Sequence, residues 1–128
     1  MAFQYAPNRT GVNFNPTATW RVLGKDGTLY ASISALRAAG TVTWPGLDPG
    51  AFLQYITARS AAGSPPFTDG SSFEIAFNQA TAPADTGLPP VGRLISGAGQ
   101  TLNDPGPIWN VWVKSNTPSD WIELSGGY

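Results

Sequence analysis

Glu74 and Glu123 are the residues whose type and setting come nearest to acid–base chemistry. Each stands in a run that alternates as a strand does, "FEIAFN" (73–78) and "WIEL" (121–124), with aromatic neighbours. Two carboxyl groups about 5 to 9.5 Å apart are the machinery of a glycosidase, one protonating the leaving oxygen while the other attacks the sugar or activates water. A lone Glu on a strand more often pairs with Lys or Arg across the sheet, and that is the reading adopted for both. "FTDGSSFE" (67–74) brings Asp69 and Glu74 near several oxygens, but the alternating acids of a calcium loop are missing. "SGAGQT" (96–101) has glycines and a Thr but neither the Lys nor the glycine spacing of a nucleotide fingerprint. The sequence holds no His and no Cys, so triads of the Ser-His-Asp or Cys-His type and zinc sites of His and Cys cannot be built from this chain. The expectation is of a protein that is not an enzyme and carries no metal and no cofactor.

What remains for function is aromatic surface. The stretch "IWNVWVKSNTPSDWIEL" (108–124) gathers Trp109, Trp112 and Trp121. Strand side chains alternate between faces, so Trp109, Val111 and Val113 should point one way and Asn110, Trp112 and Lys114 the other. If "SNTPSD" (115–120) is a hairpin turn, the returning strand sets Ile122 and Leu124 on the first side, with Trp121 and Glu123 joining Trp112 and Lys114. Aromatic surface rimmed by polar groups tends to be a contact site. Trp112, Trp121, Lys114 and Glu123 are therefore the candidate interface, while Trp20 and Trp109, in apolar alternation, are expected to fill the core.

These residues need a scaffold of strands. "TATWRVL" (17–23) and "TLYASIS" (28–34) flank the turn "GKDG" (24–27) and predict a hairpin. "ALRAAG" (35–40) fits a helical turn and "TVTW" (41–44) an extended piece. "AFLQYITARS" (51–60) follows Asp48 and Pro49, which could open a helix, yet Tyr55, Ile56 and Thr57 favour a strand. "FEIAFN" has the period of a half-buried strand, "VGRLIS" (91–96) begins the last sheet portion, and "GAGQTLNDPG" (97–106) reads as a break. Asp26, Asp48, Asp69, Asp85, Asp104 and Asp120 all lie beside Gly or Pro or in polar turns, where Asp bonds its own backbone. Seven or eight short strands punctuated in this way predict an all-β fold, an antiparallel two-sheet sandwich or jelly roll.

Length and charge agree with one such domain. The 128 residues include 15 Gly and 12 Pro, and charged residues make up 12%, about half the usual share. The net charge is −1 with basic residues scattered singly, which gives no footprint for nucleic acid. No window approaches the roughly 20 apolar residues of a membrane helix, and "MAFQYAPNRTGVNFNP" (1–16) lacks the pattern of a signal peptide. Membrane insertion is not expected, and synthesis in the cytoplasm is. Residues 1–16 read as an extended N-terminal arm with Phe3, Tyr5 and Phe14 spaced along it, preceding a single β-sandwich domain at 17–128. Chain ends fray unless tied down. An arm with spaced aromatics therefore implies something to hold it, the chain's own sheet or a neighbour joined by strand addition.

The Trp-rich "VWVKSNTPSDWIEL" (111–124), the segment "PPFTDGSSFEIAFN" (65–78) and the Cys- and His-free, Gly- and Pro-rich make-up resemble small virion proteins of tailed bacteriophages, the decoration, head-fibre and tail-associated β-domains. The resemblance spans residues 17–128. It implies a non-catalytic virion component that binds other capsid or tail proteins and forms a homo-oligomer, with Trp112, Trp121, Lys114, Glu123, Phe3, Tyr5 and Phe14 at interfaces. The sequence lacks heptads and Gly-X-Y repeats, so a compact knob or cement module is expected rather than a fibre shaft. The alternative is a receptor-binding module that stacks a host glycan on exposed Trp residues.

Overall fold

The computed structural model describes residues 8–46, 51–60, 73–83, 94–96, 100–115 and 121–128. Among these residues the strands are β1 (Arg9–Phe14), β2 (Arg21–Leu23), β3 (Leu29–Tyr30), β4 (Ala51–Ser60), β5 (Phe73–Phe77), β6 (Leu94–Ser96), β7 (Gln100–Ile108), β8 (Val111–Ser115) and β9 (Ile122–Gly127), with one helix, α1 (Ile33–Ala38). They form two antiparallel sheets, ordered β1-β9-β4-β7 and β3-β2-β8-β5-β6. The fold is an all-β, two-sheet sandwich.

Between the sheets lies one apolar core. Phe14, Ile56, Ile122 and Leu124 come from the first sheet and Leu23, Ile75, Val111 and Val113 from the second, with Trp44 among them and fully buried. Burying such side chains contributes about 1.5–3 kcal/mol each relative to leaving them in water, and in a chain without disulfides this packing is the main stabilising term.

The hairpin predicted at 17–34 is β2–β3, shorter than its sequence pattern. Its turn closes because Asp26 Oδ1 accepts the Thr28 N–H (3.0 Å) and Gly27 adopts φ 87°, a left-handed conformation that costs glycine little. The second arm stops at Tyr30 because Ser32, with extended φ and ψ, caps a helix by accepting the Ala35 N–H through its hydroxyl at 3.1 Å. The helix ends at Gly40, φ 81°. Short as it is, α1 is held by Leu36, which is buried with Val22, Ala76 and Trp112 on the outer face of the second sheet.

Residues 51–60 form a strand, as Tyr55, Ile56 and Thr57 indicated, and 73–77 do so with Ile75 and Phe77 inward. The break expected at 97–106 is corrected over 100–106, residues 97–99 lying outside the described residues. Residues 100–108 run as β7 along β4, and "NDPG" is absorbed as an irregularity, with Leu53 opposite Gly106 and Tyr55 opposite Asn103. Asp-Pro-Gly chemistry suits a turn, but it equally suits a bulge in an edge strand, where an extra residue is left unpaired.

A larger correction concerns 108–124. Trp109 and Asn110 are not strand: β7 leaves the first sheet at Ile108, and β8 starts in the second sheet at Val111. β8 and β9 do not pair with each other either. β8 sits between β2 and β5, and β9 between β1 and β4. The strands on either side of "SNTPSD" therefore form no hairpin; residues 116–120 themselves lie outside the described residues.

Candidate interaction surfaces

Because β8 and β9 belong to different sheets, the face expected to unite Trp112, Lys114, Trp121 and Glu123 does not form. Trp112 is 1% exposed. It lies on the outer side of β8 but is covered there by the cluster of Val22, Leu36 and Ala76, with Trp20, Tyr30 and Ile33 packed around it. Its indole N–H donates to the Gln79 carbonyl at 2.9 Å, so both the apolar body and the polar handle are satisfied inside this chain. Lys114, two residues on, stands opposite Glu74 on β5, with Nζ 3.6 Å from Glu74 Oε2 and 5.7 Å from the Trp20 ring centroid. This is the cross-strand pair anticipated for Glu74, with both side chains largely buried.

Glu123 lies on the opposite outer surface of the sandwich, since Ile122 and Leu124 beside it point into the core. Packed sheets are about 10 Å apart, so Glu74 and Glu123, facing away from each other on different sheets, cannot flank one glycosidic bond within a chain. Among the described residues no three acids gather to hold a metal ion.

Of the remaining interface candidates, Phe14 is fully buried in the core, which removes it as a contact for a partner. Phe3 and Tyr5 lie outside the described residues. Trp121 is 47% exposed directly before β9. The aromatic that the sequence pattern sent inward, Trp109, is 54% exposed. It sits where the chain crosses between sheets, and polar groups hold its backbone: the Trp109 N–H donates to Asn78 Oδ1 (2.7 Å), and the Thr43 hydroxyl donates to the Trp109 carbonyl (2.6 Å). Asn78 Nδ2 donates to the Pro107 carbonyl (2.8 Å), and the buried Asn110 accepts the Gln79 N–H at its Oδ1 (3.0 Å). This corner leaves Trp109 exposed, while Val111 turns into the core between the sheets and Trp112 is buried on the other face of β8 under α1.

The sheet edges present a second kind of surface. β3 has 2 residues, β6 has 3, and β7 carries Pro105 and Pro107 beside its register irregularity; short length, proline and bulges all discourage further pairing. β1 is different, with 6 residues "RTGVNF" and no proline. It is the described half of the expected arm, and it pairs antiparallel with β9 from Arg9↔Gly127 to Phe14↔Ile122. Asn8 and Tyr128 exchange both N–H···O bonds at 3.0 Å, which sets the alternation. Thr10, Val12 and Phe14 turn their backbone groups toward β9, and Arg9, Gly11 and Asn13 turn theirs outward. The outward carbonyl of Asn13 is approached by the β2–β3 turn, since a Cβ built on Gly27 would lie 2.5 Å from it. Among the described residues no strand pairs with the outward groups of Arg9 and Gly11.

No helix among the described residues is long and apolar enough to cross a membrane. No protein-family model, curated protein or solved structure matches the chain.

Proposed function

We propose that this chain is a non-catalytic structural component of a phage virion, a capsid decoration or tail-associated module that docks on other particle proteins by strand addition and associates with copies of itself. The observation that carries this reading is the uneven protection of the sheet edges among the described residues: three edge strands are short or interrupted by proline, and no described strand pairs with the outward backbone groups of Arg9 and Gly11 on β1. An unguarded edge invites aggregation unless a partner uses it, and strand addition is a common way for such an edge to bind. Trp109 and Trp121 add exposed aromatic anchors of the sort that carry interface energy. The test is mass spectrometry of virions purified from the phage whose genome encodes the chain. The chain should be present in a fixed ratio to the capsid or tail proteins and stay bound through a density gradient; its absence from intact particles would overturn the proposal.

The second reading, a glycan-binding module, draws support from Trp121, which stands half-exposed at the start of the strand that carries Glu123 and Ser125. A ring face stacks on such an indole while hydroxyls bond to polar neighbours. A glycan array probed with the labelled chain decides it: a hit lost in Trp121→Ala favours this reading, and a blank array removes it.

A further inference from the structure

We infer that the corner around Trp109 binds a neutral sugar, with one pyranose ring stacked on the indole and its hydroxyls bonded to the amides and hydroxyl that surround it. The site is independent of the assembly role proposed above, and it differs from the Trp121 reading in the residue that stacks. Three features of the corner carry it.

The first is an open platform on a fixed frame. Trp109 is 54% exposed, whereas Trp44 and Trp112 are buried and Trp20 packs against the cluster under α1. Its backbone is tied on both sides, the N–H to Asn78 Oδ1 at 2.7 Å and the carbonyl to the Thr43 hydroxyl at 2.6 Å. Asn78 is tied in turn, its N–H donating to the Asn110 carbonyl at 3.0 Å and its Nδ2 to the Pro107 carbonyl at 2.8 Å. Stretches of chain far apart in sequence are thereby locked together under the exposed ring. A platform already held in place loses little freedom when a ligand covers it.

The second is hydrogen-bonding capacity that the fold leaves unused. Asn110 is 8% exposed, and its Oδ1 accepts the Gln79 N–H at 3.0 Å. Its amide nitrogen meets no acceptor among the described residues, yet it is not sealed from solvent. A side chain buried to this degree ordinarily has its polar groups bonded, and here two N–H donors stand at the residue next to Trp109. Gln79 spends its Nε2 on the Phe77 carbonyl at 2.9 Å, which leaves Oε1 as an acceptor. Asn78 Nδ2 has a second hydrogen, and the Thr43 oxygen has lone pairs. The Trp109 indole N–H has no partner among the described residues either.

The third is the lack of charge in this frame. Thr43, Asn78, Gln79, Trp109 and Asn110 include neither a cation to hold a phosphate or carboxylate nor an acid to hold an ammonium. Apolar protein surface suits the corner no better, because laid over it such a surface would strand the Asn110 amide without a partner, which is costly. A pyranose offers what the corner lacks: a face of C–H groups for the indole and a rim of hydroxyls that both donate and accept.

A glycan array probed with the labelled chain tests this. It is followed by calorimetric titration of the full chain with methyl glycosides of glucose, galactose, mannose and N-acetylglucosamine. Circular dichroism and thermal melting control for folding. Wild type should bind at least one of these sugars, or an array glycan that contains it, saturably and at one site. Trp109→Ala leaves the backbone bonds in place and should weaken binding about tenfold or more with unchanged melting. Asn110→Asp keeps an oxygen for the Gln79 N–H but removes the two donors, and it should weaken binding to a similar extent; the Trp109→Ala result stands whatever this variant does to folding. Trp121→Ala should bind as wild type does. A chain that binds no sugar in either assay overturns the inference, as does binding that survives Trp109→Ala. Loss in Trp121→Ala alone overturns it in favour of the Trp121 reading. The assembly role fails separately: a sugar-binding chain absent from virions would leave this site standing, and an inert chain found in virions would leave the assembly role standing.

Discussion

The indole N–H of Trp112 donates to the main-chain carbonyl of Gln79 at 2.9 Å, tying the central strand of one sheet to the segment that follows its neighbour β5. Trp112 is thus a structural residue with both of its needs met internally. Trp112→Ala should destabilise the fold by about 3–5 kcal/mol through the cavity it leaves, whereas Trp121→Ala, at a half-exposed position, should change stability by no more than about 0.5 kcal/mol. Urea unfolding of the two variants checks the contrast; similar losses for both would mean that Trp121 is structural as well.

Asn78 is held at φ 58° while its amide accepts from Trp109 N–H and donates to the Pro107 carbonyl. Asn78→Ala loses both bonds and puts a less tolerant residue in the left-handed region, for an expected cost of about 2–3 kcal/mol. Asn78→Gly relieves the backbone but not the lost bonds, so it should fall between Ala and wild type in denaturant midpoint.

Gly27 and Gly40 form a matched pair of tests. Both have positive φ, 87° and 81°, but a Cβ on Gly27 would sit 2.5 Å from the Asn13 carbonyl, while one on Gly40 meets nothing within 4 Å. Gly40→Ala should cost about 1 kcal/mol from conformation alone. Gly27→Ala should cost clearly more, because the turn must move off β1. Equal shifts in melting temperature would show that the turn yields freely.

Lys114 and Glu74 are directly opposed across β8 and β5, with side chains 17% and 13% exposed. A double-mutant cycle of Lys114→Met and Glu74→Gln should return a coupling of about 1 kcal/mol, at the upper end for ion pairs near a surface. Because the pair is mostly shielded, the coupling should weaken little in added salt; its disappearance at moderate ionic strength would mean that the two charges are solvated after all.

Much of the strand content was readable from local patterns. The alternation of "FEIAFN" put Ile75 and Phe77 inward, "VWV" put Val111 and Val113 inward, and the Gly-Lys-Asp-Gly turn marked β2–β3, because side-chain period and turn chemistry are properties of a few adjacent residues. The same patterns misled where two structures share one local signature. Asp104-Pro105-Gly106 reads as a turn and serves as a strand irregularity. "SNTPSD" reads as a hairpin turn, yet the strands on either side of it, β8 and β9, belong to different sheets.

By itself, then, the sequence determined the class of fold, the parity of most strands, and the lack of His and Cys that bars the chemistry those residues support. Tertiary structure alone decided which sheet each strand joins and what covers each face. Trp112 is buried because α1, 76 residues earlier in the chain when counted from Leu36 to Trp112, folds Leu36 over it. Trp109 is exposed because Asn78 and Thr43 hold its backbone at the crossing. Those contacts join residues far apart in the chain, and no local period encodes them; they follow from the packing of two sheets around a shared core.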